Sequence, residues 1–323
     1  MTENRSSLFV KILFITLASF IGTELLTGST PVFPPTLLSL VNIFLLCLYG
    51  SGALIVREIA VIWNKGWFSI LAFGAAFAII EEGIALKTWF AADPGMSYAR
   101  FMGVNWSFGI AETIVEAIFS IALPIILSRI AFRGSESERW LGTKGLVAAG
   151  IAQLVVVSML FHATMSRFTD ISTQLPLALI MTVAFVLIGF AIKSPAVQEA
   201  PAGMLASPKM LAPLYLFSTL AVFFFCPVWL TPFTPHPLTP VLSALVAVVV
   251  LIMMFAFLHR RLLSPRQLFA VVCGIASAMF LVSIFGPQRA LGAPIGVVLY
   301  IIVLIFAWRR MRRAERIPDK VLS

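Results

Sequence analysis

Residues 77–87 read FAIIEEGIALK, and they place two adjacent carboxylates, Glu81 and Glu82, inside an apolar run that is long enough to cross a bilayer. An ionised acid at bilayer depth costs about 2.5–3.5 kcal/mol on insertion scales. Folding alone does not require this cost, so acids in such a position indicate a functional site by default. The segment therefore predicts a helical membrane protein and also marks the part of it that carries chemistry.

The composition of the chain supports the same class. Of its 323 residues, 60% are hydrophobic and only 11% are charged, whereas soluble domains carry about 25% charged residues. The net charge of +9 does not indicate a nucleic-acid partner, because the basic residues cluster in short connections between apolar runs. The three cysteines, Cys47, Cys226 and Cys273, lie far apart and lack the spacing of a zinc site or a disulfide framework. We therefore expect lipids and a membrane protein or peptide as partners, and no nucleic acid.

Windows of about twenty apolar residues predict ten transmembrane helices. These spans cover residues 8–27, 36–56, 68–90, 106–129, 145–165, 173–192, 210–230, 239–258, 267–285 and 292–308. With a cytoplasmic N-terminus, four basic residues fall on the outer side (Lys87, Arg100, Arg167 and Arg289), and the remaining 19 of the 23 fall on the inner side. This distribution follows the positive-inside rule. We predict an all-α, multi-pass membrane protein with both termini in the cytoplasm, in the plasma membrane of a bacterium or archaeon.

The chain divides at a segment rich in Pro, Ala and Ser, residues 193–209, which is typical of a linker. This cytoplasmic linker separates a six-span bundle, residues 1–192, from a four-span apolar bundle, residues 210–308. Residues 309–323 form a basic cytoplasmic tail. Because residues 210–258 contain no Asp, Glu, Lys or Arg, we place the polar site in the first bundle.

Five polar side chains fall at similar predicted depths on spans three, four and five: Glu81, Glu82, Glu112, Glu116 and His162. At 1.5 Å per residue, the four acids lie about 9–15 Å below the outer surface. Helices that follow one another through short connections are usually neighbours. We therefore expect these groups to share a polar pocket in the outer half of the membrane, with Glu24 as a further candidate for its lining.

Helical spacing adds detail to this pocket. Residues at every fourth position share a helix face, which groups Phe108, Glu112, Glu116 and Ser120 on span four, and Ser158, His162 and Ser166 on span five. Glu81 and Glu82 lie about 100° apart on a regular helix, so only one of them is expected to point straight at the pocket. Lys87 is expected to extend to the outer headgroups, and Arg57 and Glu58 are expected to pair at the inner interface.

The residue types permit three kinds of chemistry. Clustered carboxylates in a low dielectric can leave one of them able to act as a general acid or base. Carboxylates and a neutral imidazole can bind Zn²⁺ with an open position for water, and the candidate ligands are Glu112, Glu116 and His162. Without a metal, a glutamate can activate water while His162 stabilises an oxyanion. The residues alone leave these alternatives open.

Three short patterns carry a resemblance to a known group of proteins. Glu81-Glu82, Phe108-x-x-x-Glu112 and His162-x-x-x-Ser166 occur in the order found in the superfamily that includes the type II CAAX prenyl endopeptidases, the bacteriocin-processing proteins and the PrsW-type intramembrane proteases. The acid in the second pattern and the outward-facing site are more similar to the PrsW type. The resemblance implies that Glu81 or Glu82 activates water, that Glu112 and His162 are metal ligands or oxyanion partners, and that Ser166 supports them.

The leading hypothesis is an intramembrane protease, metal-dependent or glutamate-based, that hydrolyses a membrane substrate in the outer half of the bilayer. A proton- or cation-coupled transporter is the first alternative, because buried acids also serve as ion relays. A non-catalytic scaffold with a degenerate protease fold is the second. Ala85 and Leu86 stand where the protease group has a basic residue, and Ser166 stands where it usually has Asn, which favours this second alternative.

Overall fold

A computed structural model describes residues 3–27, 29, 39–90, 100–133, 135, 137–167, 170–193, 211–230, 245, 263–285 and 293–316. Within these residues the chain is helical apart from one short antiparallel hairpin, β1 (Arg100–Phe101) and β2 (Val104–Asn105). The helices are α1 (Glu3–Phe20), α2 (Leu40–Ile62), α3 (Trp67–Ala78), α4 (Trp106–Glu116), α5 (Leu123–Ala131), α6 (Thr143–Ala163), α7 (Ile171–Ala191), α8 (Leu211–Leu230), α9 (Pro265–Phe285) and α10 (Ala293–Arg316). The predicted all-α class is confirmed.

Seven helical segments in the described part of the chain are long and apolar enough to cross a membrane. They are Leu8–Leu25, Leu40–Ile62, Trp67–Ala85, Phe108–Ala131, Thr143–Ala163, Ile171–Ala191 and Pro294–Glu315. These segments match the first six predicted spans and the last one, while α8 and α9 occupy the positions of spans seven and nine. Apart from Lys193 and Leu245, the predicted linker and the eighth span lie outside the described residues. The last helix continues to Arg316, so the first part of the predicted basic tail is helical.

The spans differ sharply in how much of their surface is buried. The third and fourth spans are 78% buried inside the protein, whereas α6 and α7 are only 11% and 17% buried. The exposed faces of α6 and α7 are apolar, with residues such as Leu154 and Val183, as expected for side chains that face lipid. The two spans that carry the predicted acids therefore form the centre of the bundle.

Three short π-helical segments interrupt the spans of the described chain. They are π1 (Ile21–Leu25) after α1, π2 (Ile79–Ala85) after α3, and π3 (Ala117–Ala122) between α4 and α5. Such segments are rare and frequently occur at functional sites. Pro124 in α5 has no backbone N–H to donate, and the carbonyl of Ser120 four residues earlier instead accepts a hydrogen bond from Ser19 Oγ at 2.5 Å. The irregular backbone is thus hydrogen-bonded by a neighbouring span.

Arg57 and Glu58 form a buried ion pair that packs against Trp140. We call these three residues the inner clamp, after their predicted position. The Arg57 guanidinium contacts Glu58 Oε1 and stacks over the Trp140 ring, 3.8 Å from its centroid. Glu58 Oε1 also accepts a hydrogen bond from the backbone N–H of Trp140 at 3.1 Å. The predicted pairing of Arg57 with Glu58 is confirmed, but both side chains are at least 96% buried rather than exposed to headgroups.

Gly296 of α10 is expected to tolerate no side chain. A Cβ at this position would overlap the carbonyl of Leu25 in π1, and backbone on both sides leaves little freedom to relax. We expect Gly296→Ala to lower the free energy of unfolding by about 1–3 kcal/mol, the usual cost of overpacking. Unfolding in mixed detergent micelles measures this change.

Gly150 provides a matched control, because it also lies in a spanning helix but a Cβ there would meet nothing within 4 Å. Alanine is favoured over glycine in helices by up to about 1 kcal/mol, so Gly150→Ala should leave the stability unchanged or raise it. Equal effects of the two substitutions would contradict the close packing of α10 on π1.

Candidate functional site

The predicted acids of spans three and four meet in a buried carboxylate cluster, formed by Glu81, Glu82 and Glu116. One carboxylate oxygen from each residue lies within 4.8 Å of the others. Their side chains are almost fully enclosed, with exposed fractions of 0%, 8% and 4%. The expectation that only one of Glu81 and Glu82 faces the pocket was wrong. Both lie in π2, and a π-helix has more residues per turn than an α-helix, so adjacent side chains diverge less.

A set of hydroxyl groups joins the cluster to the first span. Ser120 Oγ in π3 donates to Glu116 Oε2 and lies 2.7 Å from Thr23 Oγ1 in π1. Thr23 Oγ1 also lies 3.0 Å from the carbonyl oxygen of Ser19. The predicted common face of Glu116 and Ser120 is therefore present, and its polar groups are hydrogen-bonded rather than isolated in the apolar core.

Tyr49 of α2 bridges two carboxylates from different spans. Its hydroxyl lies 2.6 Å from Glu24 Oε1 and also contacts Glu81 Oε1. A phenol carries one proton and can donate it to only one of these oxygens. The second contact is a hydrogen bond only if the other carboxyl group carries a proton of its own. The double contact at Tyr49 therefore favours a protonated carboxyl group on Glu24 or on Glu81.

Glu82 occupies the outer edge of the cluster. Thr88 Oγ1 donates to Glu82 Oε2, and the carboxylates of Glu82 and Glu112 are close enough to interact electrostatically. Glu112 is also buried, with 9% of its surface exposed. All four acids predicted for the pocket therefore lie in one region, and Glu24 joins them from the first span. Tyr49 and Thr88 were not predicted as site residues, although Tyr49 is a polar group within an apolar span, which is the signal that would have identified it.

The predicted imidazole does not join the acids. His162 is exposed near the end of α6, where its ring contacts Phe161 at 5.6 Å between centroids, and Ser166 is exposed in the following turn. Phe108 packs in a small hydrophobic cluster with Trp89 and does not contribute a polar group. The set Glu112, Glu116 and His162, predicted as zinc ligands, is not brought together, because the end of α6 turns this side chain away from the bundle.

Lys87 is buried rather than extended to the headgroups, contrary to the sequence-based expectation. Its Nζ donates to the carbonyl oxygen of Phe161 at 2.6 Å and to Thr164 Oγ1 at 2.8 Å. These acceptors lie at the C-terminal end of α6, where backbone carbonyls lack helical partners and the helix dipole favours a positive charge. Lys87 therefore fixes the end of α6 beside π2 and so contributes to the position of the cluster.

An apolar cavity of about 400 Å³ lies beside the cluster, between α3, α4 and α7. Trp89, Trp106, Gly109, Met181 and Phe185 are among the residues that line it. Trp89 lines the cavity, and its backbone N–H donates to the carbonyl oxygen of Glu82 at 3.5 Å. Trp89 therefore connects the wall of the apolar cavity to the segment that carries Glu82.

The donor set of the cluster consists of carboxylate oxygens. Zinc sites in proteins use nitrogen and sulfur ligands in most cases, so the residues gathered here do not fit the zinc centre predicted from the residue types. Two close carboxyl groups that share a proton can serve as an acid and a base without an imidazole. No family model matches the chain, and no match was found among curated proteins or solved structures.

Proposed function

We propose that the protein is an intramembrane peptidase in which two buried carboxyl groups form the acid–base pair. One observation carries this proposal: the oxygens of Glu81, Glu82 and Glu116 converge to within 4.8 Å. Hydrolysis needs a base that takes a proton from water and an acid that gives a proton to the departing amine. The bridge at Tyr49, which favours a protonated carboxyl group beside the cluster, supports the presence of both forms at once.

Glu82 is the residue that we assign as the base, since it lies at the outer edge of the cluster. Its carboxylate accepts a proton from water as the water oxygen bonds to the carbonyl carbon of the substrate. A protonated carboxyl group, for which we assign Glu81, donates its proton to the amide nitrogen as the C–N bond breaks. Carboxyl pairs of this kind, which share one proton, perform the same two tasks in aspartic proteases.

A membrane-embedded substrate suits the surroundings of these acids. The cavity beside Trp89 is almost entirely apolar and lies between spans, so it can accept hydrocarbon side chains of a transmembrane segment. We also propose that the complete chain has ten spans with both termini in the cytoplasm, which the charge distribution supports. The acids then lie in the outer half of the bilayer, and cleavage is expected near the outer face.

Cleavage of a library of apolar peptides by the full chain in lipid nanodiscs tests the proposal. The reaction is run in water enriched in ¹⁸O, and mass spectrometry should find one solvent oxygen in each new carboxyl terminus. The double variant Glu81→Gln/Glu82→Gln should produce no such fragments. Fragments that persist in the double variant, or a complete lack of cleavage in the parent protein, would remove the proposal.

A proton- or cation-coupled transporter is the second candidate, and the link from Glu24 through Tyr49 to Glu81 favours it. This link joins three spans through groups that can pass a proton. The scaffold hypothesis has no such support, because acids more than about 10 Å apart, beyond the ~4–6 Å at which such charges affect one another, would favour it, and the acids of the cluster lie within 4.8 Å. Solute uptake into proteoliposomes that depends on a proton gradient and on Glu82 would favour the transporter over the peptidase.

A further inference from the structure

We propose that the carboxylate cluster of Glu81, Glu82 and Glu116 binds one hard divalent cation, and that Ca²⁺ fits it best. Three oxygens that lie within 4.8 Å of one another have a common point no more than about 2.8 Å from each (4.8 Å divided by √3). Calcium binds carboxylate oxygens at about 2.3–2.6 Å, so a small contraction of the cluster completes three bonds.

A buried oxygen atom of Glu81 that lacks a hydrogen-bond partner also indicates a cation site. Glu81 is fully buried, and its Oε2 has no hydrogen-bond partner, although its Oε1 contacts Tyr49. A buried carboxylate oxygen without a partner costs more than a neutral polar group in the same position. A cation supplies the missing interaction, and a second carboxylate oxygen from Glu81 also allows the bidentate binding that is common for Ca²⁺.

The charge of the cluster also favours a positive partner. The ion pairs found among the described residues join Lys11 to Glu138, Arg57 to Glu58, and Arg266 and Arg312 to Glu315. None of them includes a member of the carboxylate cluster. Close carboxylates in a low dielectric repel one another unless protons or a cation neutralise them. When Glu24 carries the proton at the Tyr49 bridge, the three acids of the cluster can all be ionised, and a divalent cation then neutralises two of their three charges.

The nature of the donors selects the cation. Carboxylate oxygens suit Mg²⁺, Ca²⁺ and Mn²⁺, whereas imidazole and thiolate ligands select zinc and copper. Magnesium requires shorter bonds of about 2.0–2.1 Å in a near-ideal octahedron, and it usually keeps several waters. A site with side chains at most 8% exposed, whose oxygens are up to 4.8 Å apart, favours the larger and more adaptable ion.

This inference goes beyond the proposed peptidase, because cation binding is measured without any substrate. The two are also linked, since the same oxygens cannot bind Ca²⁺ and accept a proton from water at once. The cation-bound state is therefore expected to be inactive, and Ca²⁺ to act as an inhibitor of cleavage. If the protein cleaves no peptide, Ca²⁺ binding can still be measured. If it binds no Ca²⁺, the peptidase proposal still stands.

Isothermal titration of the full chain in nanodiscs, after treatment with a chelator, tests the site. We expect one Ca²⁺ per chain, a higher melting temperature with Ca²⁺, and weaker binding of Mg²⁺ and Zn²⁺. Glu116→Gln and Glu82→Gln are each tested alone, so that one poorly folded variant does not decide the result. Each should weaken Ca²⁺ binding at least about tenfold, because the loss of a group that only supports a ligand already costs about 10–100-fold. Glu138→Gln, which changes an acid that is 61% exposed, should bind as the parent does.

Three results would overturn the inference. One is the lack of saturable Ca²⁺ binding to a folded chain. Another is undiminished binding in both Glu116→Gln and Glu82→Gln, which would place the ion elsewhere. The third is tighter binding of Zn²⁺ than of Ca²⁺ at a site that depends on Glu116.

Discussion

Glu82→Gln is expected to slow cleavage of a membrane peptide by about 10²–10⁴-fold, the usual contribution of a general base. Glutamine keeps the shape of the side chain and still accepts the hydrogen bond from Thr88 Oγ1, but it cannot take a proton from water. Because the substitution removes one of several mutually repelling carboxylates, we do not expect it to lower the free energy of unfolding. Single-turnover cleavage rates and unfolding in mixed micelles measure the two effects separately.

The control for this prediction is Glu138→Gln, because Glu138 is exposed and lies away from the cluster, in an ion pair with Lys11 at 3.6 Å. Its cleavage rate should equal that of the parent. A rate for Glu82→Gln within about twofold of the parent would exclude Glu82 as the base. A loss of rate accompanied by loss of the fold would instead show a structural role for Glu82.

Glu58→Gln is expected to lower the free energy of unfolding by about 3–5 kcal/mol, the cost of removing one partner of a buried ion pair. The substitution withdraws the negative charge from the Arg57 guanidinium, which is 4% exposed and packed on the Trp140 ring. It also weakens the acceptor for the backbone N–H of Trp140. Equilibrium unfolding in mixed micelles measures the change.

An exposed ion pair in the same protein gives the matched comparison. Arg266 Nε and Nη2 donate to the two carboxylate oxygens of Glu315 at 2.9 and 2.8 Å, but the Arg266 side chain is 48% exposed. Solvent-exposed pairs contribute about 0–1 kcal/mol, so Glu315→Gln should have a small effect. Similar losses of unfolding free energy for Glu58→Gln and Glu315→Gln would show that burial does not determine how much the inner clamp contributes to stability.

The class of the protein and much of its layout could be predicted from the sequence because they depend on simple regularities. Hydrophobic length identifies spans, and seven predicted spans correspond to apolar helices in the described chain. A separation of four residues predicted that Glu116 and Ser120 share a helix face, and the two side chains are hydrogen-bonded. Similar depth suggested that acids of spans three and four would meet, and Glu81, Glu82 and Glu116 do so.

The sequence-based predictions were wrong where the backbone departs from a regular α-helix, or where the end of a helix determines which groups a side chain contacts. Both Glu81 and Glu82 lie in π2 and contribute an oxygen to the cluster. The spacing of residues in the sequence does not predict a π-helix. Lys87 was expected at the surface, but the carbonyl oxygen of Phe161 at the end of α6 binds it. His162 was predicted at the same depth as the acids, but depth does not determine which side of a span faces the bundle, and the side chain is exposed.

The central claim is that acids from two spans form one interacting cluster while His162 lies apart from it. A double-mutant cycle on the free energy of unfolding tests this claim directly, with Glu81→Gln and Glu116→Gln as one pair and Glu81→Gln and His162→Ala as the reference pair. We predict that the first pair departs from additivity by about 0.5–3 kcal/mol and that the reference pair adds to within about 0.5 kcal/mol. Additive effects of Glu81→Gln and Glu116→Gln would contradict the cluster, and with it the proposed active site.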